Sequence, residues 1–299
     1  MTMGERPASG ALPLPVAVIC GGGRLPVEVI ASVVESGRRV VAVAIKGEAD
    51  TGVDAYNPAY LGWGQIGKLA TLLEREGCRE IVMIGSVTRR PELREIVGDL
   101  GTMRRLPKIV ASLAGGDDSI LKKIIRLFED EGFRVIGAHE VAPGLLARSG
   151  TIVGKDPGAA AALDLKLARE AVIALGRLDI GQAAVSVAGR VIAVEGAEGT
   201  DAMLERCRAV RERGRVKGRG GVLVKCAKPG QDMRVDLPTV GPETVRAAAN
   251  AGLSGIGIEA GRVLIAERAR TEALARENSI SLWGIDPLEE AHEPREAAK

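Results

Sequence analysis

Closely spaced charge of both signs follows a short apolar strand in the stretch GVLVKCAKPGQDMRVDLP, residues 221–238. Lys225, Lys228, Asp232, Arg234 and Asp236 crowd together there, with Gln231 among them and Pro229 and Pro238 stiffening the loop. An ordinary surface turn needs no such assortment. Carboxylates hold a hard divalent cation, and lysine and arginine neutralise phosphate oxygens, so the mixture reads as a site for metal-assisted phosphate chemistry. A second loop, Glu195-Gly196-Ala197-Glu198-Gly199-Thr200-Asp201, ends another strand and opens a helix. Thr200 or Asp201 would serve there as a helix cap. If the two loops face each other, Glu195, Asp201, Asp232 and Asp236 meet Lys225, Lys228 and Arg234.

Composition removes several other chemistries. A chain of 299 residues with 46% apolar and 27% charged side chains is ordinary globular material, long enough for about two domains. A net charge of +2 creates no field to recruit nucleic acid, and 2% aromatic residues offer few platforms for stacking bases. Nucleic acid is therefore not an expected partner. Cys20, Cys78, Cys207 and Cys226 form no CxxC pair and read as core residues in a reducing compartment. The only histidines, His139 and His292, are too few for a histidine metal site, and His139 reads as a structural residue at a strand end. The apolar run LPLPVAVICGGG is too short and too proline-interrupted to span a bilayer, so a cytoplasmic protein is expected.

Two α/β domains must position these residues. From Val16 onward, VAVIC, RVVAVAI, EIVMIG and FRVIGA read as buried β-branched strands, with helices near 27–36 and 66–76 between them. This pattern predicts an N-terminal Rossmann-like parallel-sheet domain over residues 14–147, whose ligands would sit beyond the carboxyl ends of its strands. Gly21-Gly22-Gly23-Arg24, Lys46-Gly47-Glu48 and Gly85-Ser86-Val87 occupy those ends. The run GGGRLP lacks the GxGxxG spacing of a dinucleotide fold, though its amides suit a phosphate or a plain tight turn equally. One Asp of Gly115-Gly116-Asp117-Asp118-Ser119 is expected to cap an amphipathic helix bearing Ile120, Ile124, Leu127 and Phe128.

Residues 148–158, ARSGTIVGKDPG with its leading alanine at 147, read as a linker. A C-terminal catalytic α/β domain with a mixed sheet follows over 159–286, with flexible ends at 1–13 and 287–299. Ala188 to Glu195 reads AGRVIAVE and Ala260 to Glu267 reads AGRVLIAE, each after a short strand and before a helix. The echo predicts two hairpins in a duplicated β-β-α-β unit.

The segments CGGGRLP, GSVTRRP, GGDDSILKKI, AVEGAEGTDAML and GGVLVKCAKPGQDMRVDLPTVGP, spread over residues 14–286, resemble the LpxI family, the UDP-2,3-diacylglucosamine pyrophosphatases of lipid A biosynthesis. The resemblance implies a hydrolase that cleaves this lipid-linked sugar nucleotide with water, giving UMP and 2,3-diacylglucosamine 1-phosphate (lipid X). It implies Mg2+ or another divalent cation, attack on the sugar-linked phosphorus, transient contact with the inner-membrane surface, and room for a homodimer. By motif match Asp232 is the first choice for the essential carboxylate, ligating metal or aligning water, with Glu195 and Asp201 completing the metal shell. Lys225, Lys228 and Arg234 would stabilise charge on the pyrophosphate and Gln231 would orient an oxygen. Asp236 and Thr200 would support the substrate side, and Gly22, Gly23, Arg24 and Ser86 are candidate contacts to nucleotide or sugar. Met103, Leu106, Ile109 and Leu113 are candidates to line an acyl groove. Two alternatives remain from the residues themselves: a sugar-nucleotide enzyme of redox or transferase type using Glu48 or Asp50 on a ribose, and a non-catalytic lipid or nucleotide carrier.

Overall fold

The computed structural model describes residues 13–88 and 117–287. The proposed groove residues Met103 to Leu113, the glycines at 115 and 116, and nearly all of both expected flexible ends lie outside the described residues. The chain divides into two compact units between Pro143 and Gly144.

In the first unit β1 (Val16–Cys20), α1 (Leu25–Glu35), β2 (Val40–Ile45), β3 (Ala59–Leu61), α2 (Ile66–Arg75), β4 (Glu80–Ile84), α3 (Asp117–Asp130), β5 (Arg134–Val135) and α4 (Ala138–Val141) follow one another. The strands pair in the order β3-β2-β1-β4-β5, every pair parallel. Central β1 is buried along its whole length, which is why VAVIC carries no polar alternation. The chain moves from β1 out to β3 and then returns to β4, leaving a switch point between β1 and β4. Helix α3 buries Ile125, Leu127 and Phe128. The expected strand FRVIGA pairs over only two residues, because Gly137 and Glu140 close the start of α4 through the Gly137 N–H to Glu140 Oε1 bond of 2.8 Å.

The second unit contains β6 (Gly150–Val153), α5 (Ala159–Arg177), β7 (Ala183–Val187), β8 (Arg190–Val194), α6 (Gly199–Glu212), β9 (Val222–Lys225), β10 (Thr239–Val240), α7 (Pro242–Asn250), β11 (Gly255–Glu259), β12 (Leu264–Ile265), α8 (Arg268–Glu277) and β13 (Ser281–Ile285). Six strands form a mixed sheet in the order β6-β13-β11-β9-β7-β8. Side chains alternate between its faces: Val222 and Val224 pack with Leu165, Ala168 and Val172 of α5, whereas Leu223 packs with Met203, Val245 and Ala275 of α6, α7 and α8. Strand β8 runs antiparallel to β7, and β7 antiparallel to β9, so β8 and β9 point the same way. Strands β11 and β13 are parallel to β9. Four carboxyl ends therefore meet at one edge of the sheet.

Two expectations are corrected here. The stretch 148–158 is not a free linker: β6 lies antiparallel against β13, and the Trp283 indole donates to the Lys155 carbonyl at 2.8 Å. Its β-branched core, Thr151 to Val153, suits a sheet edge. The duplicated hairpin forms only once. Ala188 and Gly189 both take positive φ, 51° and 74°, and join β7 to β8 in a tight hairpin. After β11 no hairpin can form, because β9 and β13 already occupy both its edges. Leu264 and Ile265 pair instead with Thr239 and Val240 of β10.

Candidate active site

At the carboxyl edge of the second sheet three of the four strands lead into a buried charged residue. Glu195 follows β8, Lys225 closes β9 and Glu259 closes β11. All three are more than nine-tenths buried. Buried charge is expensive unless it is paired, and here the pairing is explicit. Lys225 Nζ donates to Thr200 Oγ1 at 3.0 Å, and that hydroxyl donates to Glu195 Oε1 at 2.9 Å. Glu195 Oε2 accepts the backbone N–H of Gln182 at 3.1 Å. Burial pushes the Lys225 ammonium below the usual lysine range, while the negative charges of Glu195, Asp201 and Asp236 pull it back up. The loops EGAEGTD and KPGQDMRVD thus face one another around one buried cation.

Local sequence explains how each group reaches this place. A Cβ on Gly181 would fall 2.2 Å from the Glu195 carbonyl oxygen, so only glycine lets the strand pass close enough to anchor Glu195. Neither Thr200 nor Asp201 caps α6. The capping position is Glu198, and Thr200 and Asp201 lie inside the first turn. Thr200 is thereby free to join the lysine and the glutamate, and exposed Asp201 complements the helix dipole.

The loop after β9 is a folded object. Pro229 and Gly230 (φ 75°) make the turn their order prescribes, closed by the Gln231 N–H to Lys228 carbonyl bond of 3.1 Å. Gln231 is buried, and its Oε1 accepts the Lys228 N–H at 2.8 Å. That bond turns the amide nitrogen the other way, and Gln231 Nε2 is buried with no hydrogen-bond partner among the described residues. Asp232 is forked by its neighbour: Arg234 Nε donates to Oδ1 at 2.9 Å and the other guanidinium nitrogen to Oδ2 at 2.7 Å, with the Arg234 N–H adding a bond of 3.1 Å. Lys228 pairs with Asp179 at 2.6 Å. Asp236, half-buried, contributes its negative charge to Lys225.

The carboxylates named as a metal shell are not gathered into a cage. Among the described residues, no group of three or more His, Cys, Asp or Glu side chains stands where it could enclose a metal ion. Glu195 spends both oxygens on Thr200 and Gln182. Asp201 is exposed on α6 and Asp232 is held by Arg234.

In the first unit several backbone groups of the candidate contacts bond within the fold. Gly22 and Ser86 bridge each other by two backbone bonds of 2.8 and 2.9 Å. The Gly23 amide donates to Asp50 Oδ2 at 2.7 Å, and Arg24 is exposed at the start of α1. Glu48 Oε2 accepts both the amide and the hydroxyl of Thr88, at 2.8 and 2.9 Å. The two acids available to a ribose are thus bound within the fold. His139 lies in α4 with its Nδ1 buried and without a partner among the described residues.

Sequence reasoning passed over Asp179, Gln182 and Glu259. Asp179 and Gln182 carry no motif. Glu259 left a signal in its setting, as the one charge ending the apolar strand GIGIE.

This is a two-unit α/β protein whose mixed sheet concentrates buried charge at its carboxyl edge. A family model described as the LpxI N-terminal domain matches residues 15–145, and one described as the LpxI C-terminal domain matches residues 148–283. The protein from Caulobacter vibrioides named UDP-2,3-diacylglucosamine pyrophosphatase LpxI is 40% identical over 276 residues, covering 92% of this chain and 98% of that relative. The chain belongs to the LpxI family.

Proposed function

We propose that this protein hydrolyses the pyrophosphate of UDP-2,3-diacylglucosamine, releasing UMP and 2,3-diacylglucosamine 1-phosphate. The kinship with a relative of that name supports the substrate. The observation that carries the chemistry is the buried Lys225–Thr200–Glu195 chain beside a loop bearing Lys228, Asp232 and Arg234. Pyrophosphate cleavage by water rests on positioning and charge neutralisation, and needs no protein nucleophile.

In this reading Lys228 and Arg234 exchange Asp179 and Asp232 for pyrophosphate oxygens, which releases the Asp232 carboxylate to align water. Gln231 Nε2 supplies a fixed donor to a phosphate oxygen. Lys225 stays in place behind the reacting group, its positive form favoured by Glu195, Asp201 and Asp236. A divalent cation, held by Asp232 and Asp201 with the substrate's phosphates, would add charge neutralisation. Attack falls on the sugar-linked phosphorus. The substrate's acyl chains require the protein to work at the membrane surface. Among the described residues, no helix is long and apolar enough to cross a membrane.

Hydrolysis in oxygen-18 water, with magnesium or with chelator, tests the reading. Label should enter the sugar phosphate, and chelation should stop turnover. Label in UMP overturns the site of attack, and absence of cleavage by the magnesium-loaded protein overturns the function. Asp232→Ala should lose turnover while still retaining substrate; a carrier would show no cleavage with or without the substitution.

A further inference from the structure

We propose that Glu259 is a positioning residue for the loop that carries Gln231, Asp232 and Arg234. This rests on the proposed hydrolysis and adds to it a residue from a different strand. Glu259 is 6% exposed at the carboxyl end of β11, directly beside the end of β9 in the parallel pairing. A carboxylate buried to that degree stays in a fold only when its oxygens are used. Its Oε2 accepts the Ala227 N–H at 2.9 Å, and its Oε1 lies 3.6 Å from the Arg262 guanidinium.

Ala227 is where the chain leaves the sheet. Strand β9 ends at Lys225, and the Cys226 N–H still bonds to the Gln182 carbonyl at 3.1 Å. From Ala227 onward the ladder gives no further support, and the next two amides with side-chain partners are those of Ala227 and Lys228. Glu259 therefore fixes the first free residue of the loop, and Gln231 fixes the second. The direction in which the turn at Pro229 and Gly230 departs follows from these two bonds. That direction sets where Asp232 and the unspent Gln231 Nε2 stand.

Arg262 completes the device. It is carried by the turn after β11, where the Ala260 N–H bonds to the Ile285 carbonyl and the Gly261 N–H to the Ala147 carbonyl. Its guanidinium faces Glu259 Oε1, the carboxylate oxygen that the Ala227 amide leaves unused, and so helps to hold the carboxylate in place. Lys225 and Glu259 side chains leave opposite faces of the sheet, since neighbouring Ile258 and Leu223 pack toward α6 and α7 while Gly257 meets Leu165 of α5. The loop is thus set by α5-face contacts and charged by the other face.

The test compares the whole protein with Glu259→Gln, Glu259→Leu and Arg262→Ala. Glutamine keeps an acceptor oxygen for the Ala227 amide; leucine removes it at similar volume. Turnover of UDP-2,3-diacylglucosamine by Glu259→Leu, per folded molecule, should fall about 10- to 100-fold in kcat with a smaller change in KM. Glu259→Gln should recover most of that loss, and Arg262→Ala should fall between them. Hydrogen exchange over residues 227–236 should accelerate in the leucine variant and not in the glutamine variant. Wild-type kcat in folded Glu259→Leu, or equal loss in Glu259→Gln and Glu259→Leu, overturns the proposal. If the wild-type protein itself fails to cleave the substrate, the functional reading falls, and the exchange rates still decide whether Glu259 holds the loop. Should Glu259→Leu fail to fold, Glu259→Gln and Arg262→Ala carry the same comparison.

Discussion

The carboxyl edges of the two sheets hold similar material and use it in opposite ways. In the first unit Gly22, Gly23, Ser86, Glu48, Asp50 and Thr88 satisfy one another with amide, hydroxyl and carboxylate bonds. In the second, a lysine is buried among three negative charges, an arginine is folded back on Asp232, and a glutamine donor is left unspent among the described residues. The first edge is closed by local hydrogen bonds. The second gathers its charge into explicit pairs around one buried lysine, and buried charge with a perturbed pKa is the usual mark of a working site.

Substitutions at three positions and one chemical probe can break this contrast. Lys225→Met carries the largest expected effect: it removes the buried cation, and hydrolysis should fall about 10²–10³-fold while circular dichroism remains native. Retained activity would place the second edge on the same footing as the first. Thr200→Ala should lower kcat roughly 10- to 100-fold by cutting the link between Lys225 and Glu195, and Thr200→Ser should restore it. In the first unit the expected change is in stability. A Cβ on Gly21 would sit 2.4 Å from the Ser86 carbonyl oxygen, so Gly21→Ala should cost about 1–3 kcal/mol in urea unfolding. An unaltered midpoint would mean that the Gly22–Ser86 closure is not rigid.

The smallest effect is expected where the units agree. All four cysteines are buried, and burial raises each thiol, Cys20 and Cys226 to about 12 and Cys207 to about 11, with Cys78 raised as well. A raised thiol pKa means less thiolate at any given pH, so alkylation at about pH 8 should be negligible in the native protein and complete after denaturation. Fast native labelling of one cysteine would single out a unit whose core opens. The sign is the same for both units, because the cause is apolar burial in each.

Much of the fold could be read before the structure. Continuous β-branched runs marked both central strands, since a strand covered on two faces has no polar side to show. The pairing of EGAEGTD with KPGQDMRVD was also expected, and parallel β8 and β9 supply its reason. Other features were hidden because they depend on occupancy rather than composition. AGRVLIAE looks like AGRVIAVE, but β11 had no free edge on which to fold back. The stretch 148–158 has a linker's glycines and proline, yet β13 offered its Val153-to-Gly150 segment an open edge. Helix α7 and strand β10 passed unread behind the attention drawn by PTVGP.

The sequence alone settled the kinds of element, the two-part division and the inventory of charges in the loop after β9. Those depend on periodicity, glycine and proline placement and residue type, which are local properties. The tertiary structure decided which charges are free. It folded Arg234 onto Asp232, tied Lys228 to Asp179, hid Lys225 behind Thr200, and brought Glu259 from a distant strand to the first amide of the loop. Such choices follow from strand order and burial, because the cost of leaving a buried charge or amide unpaired is settled only by the neighbours that the sheet supplies.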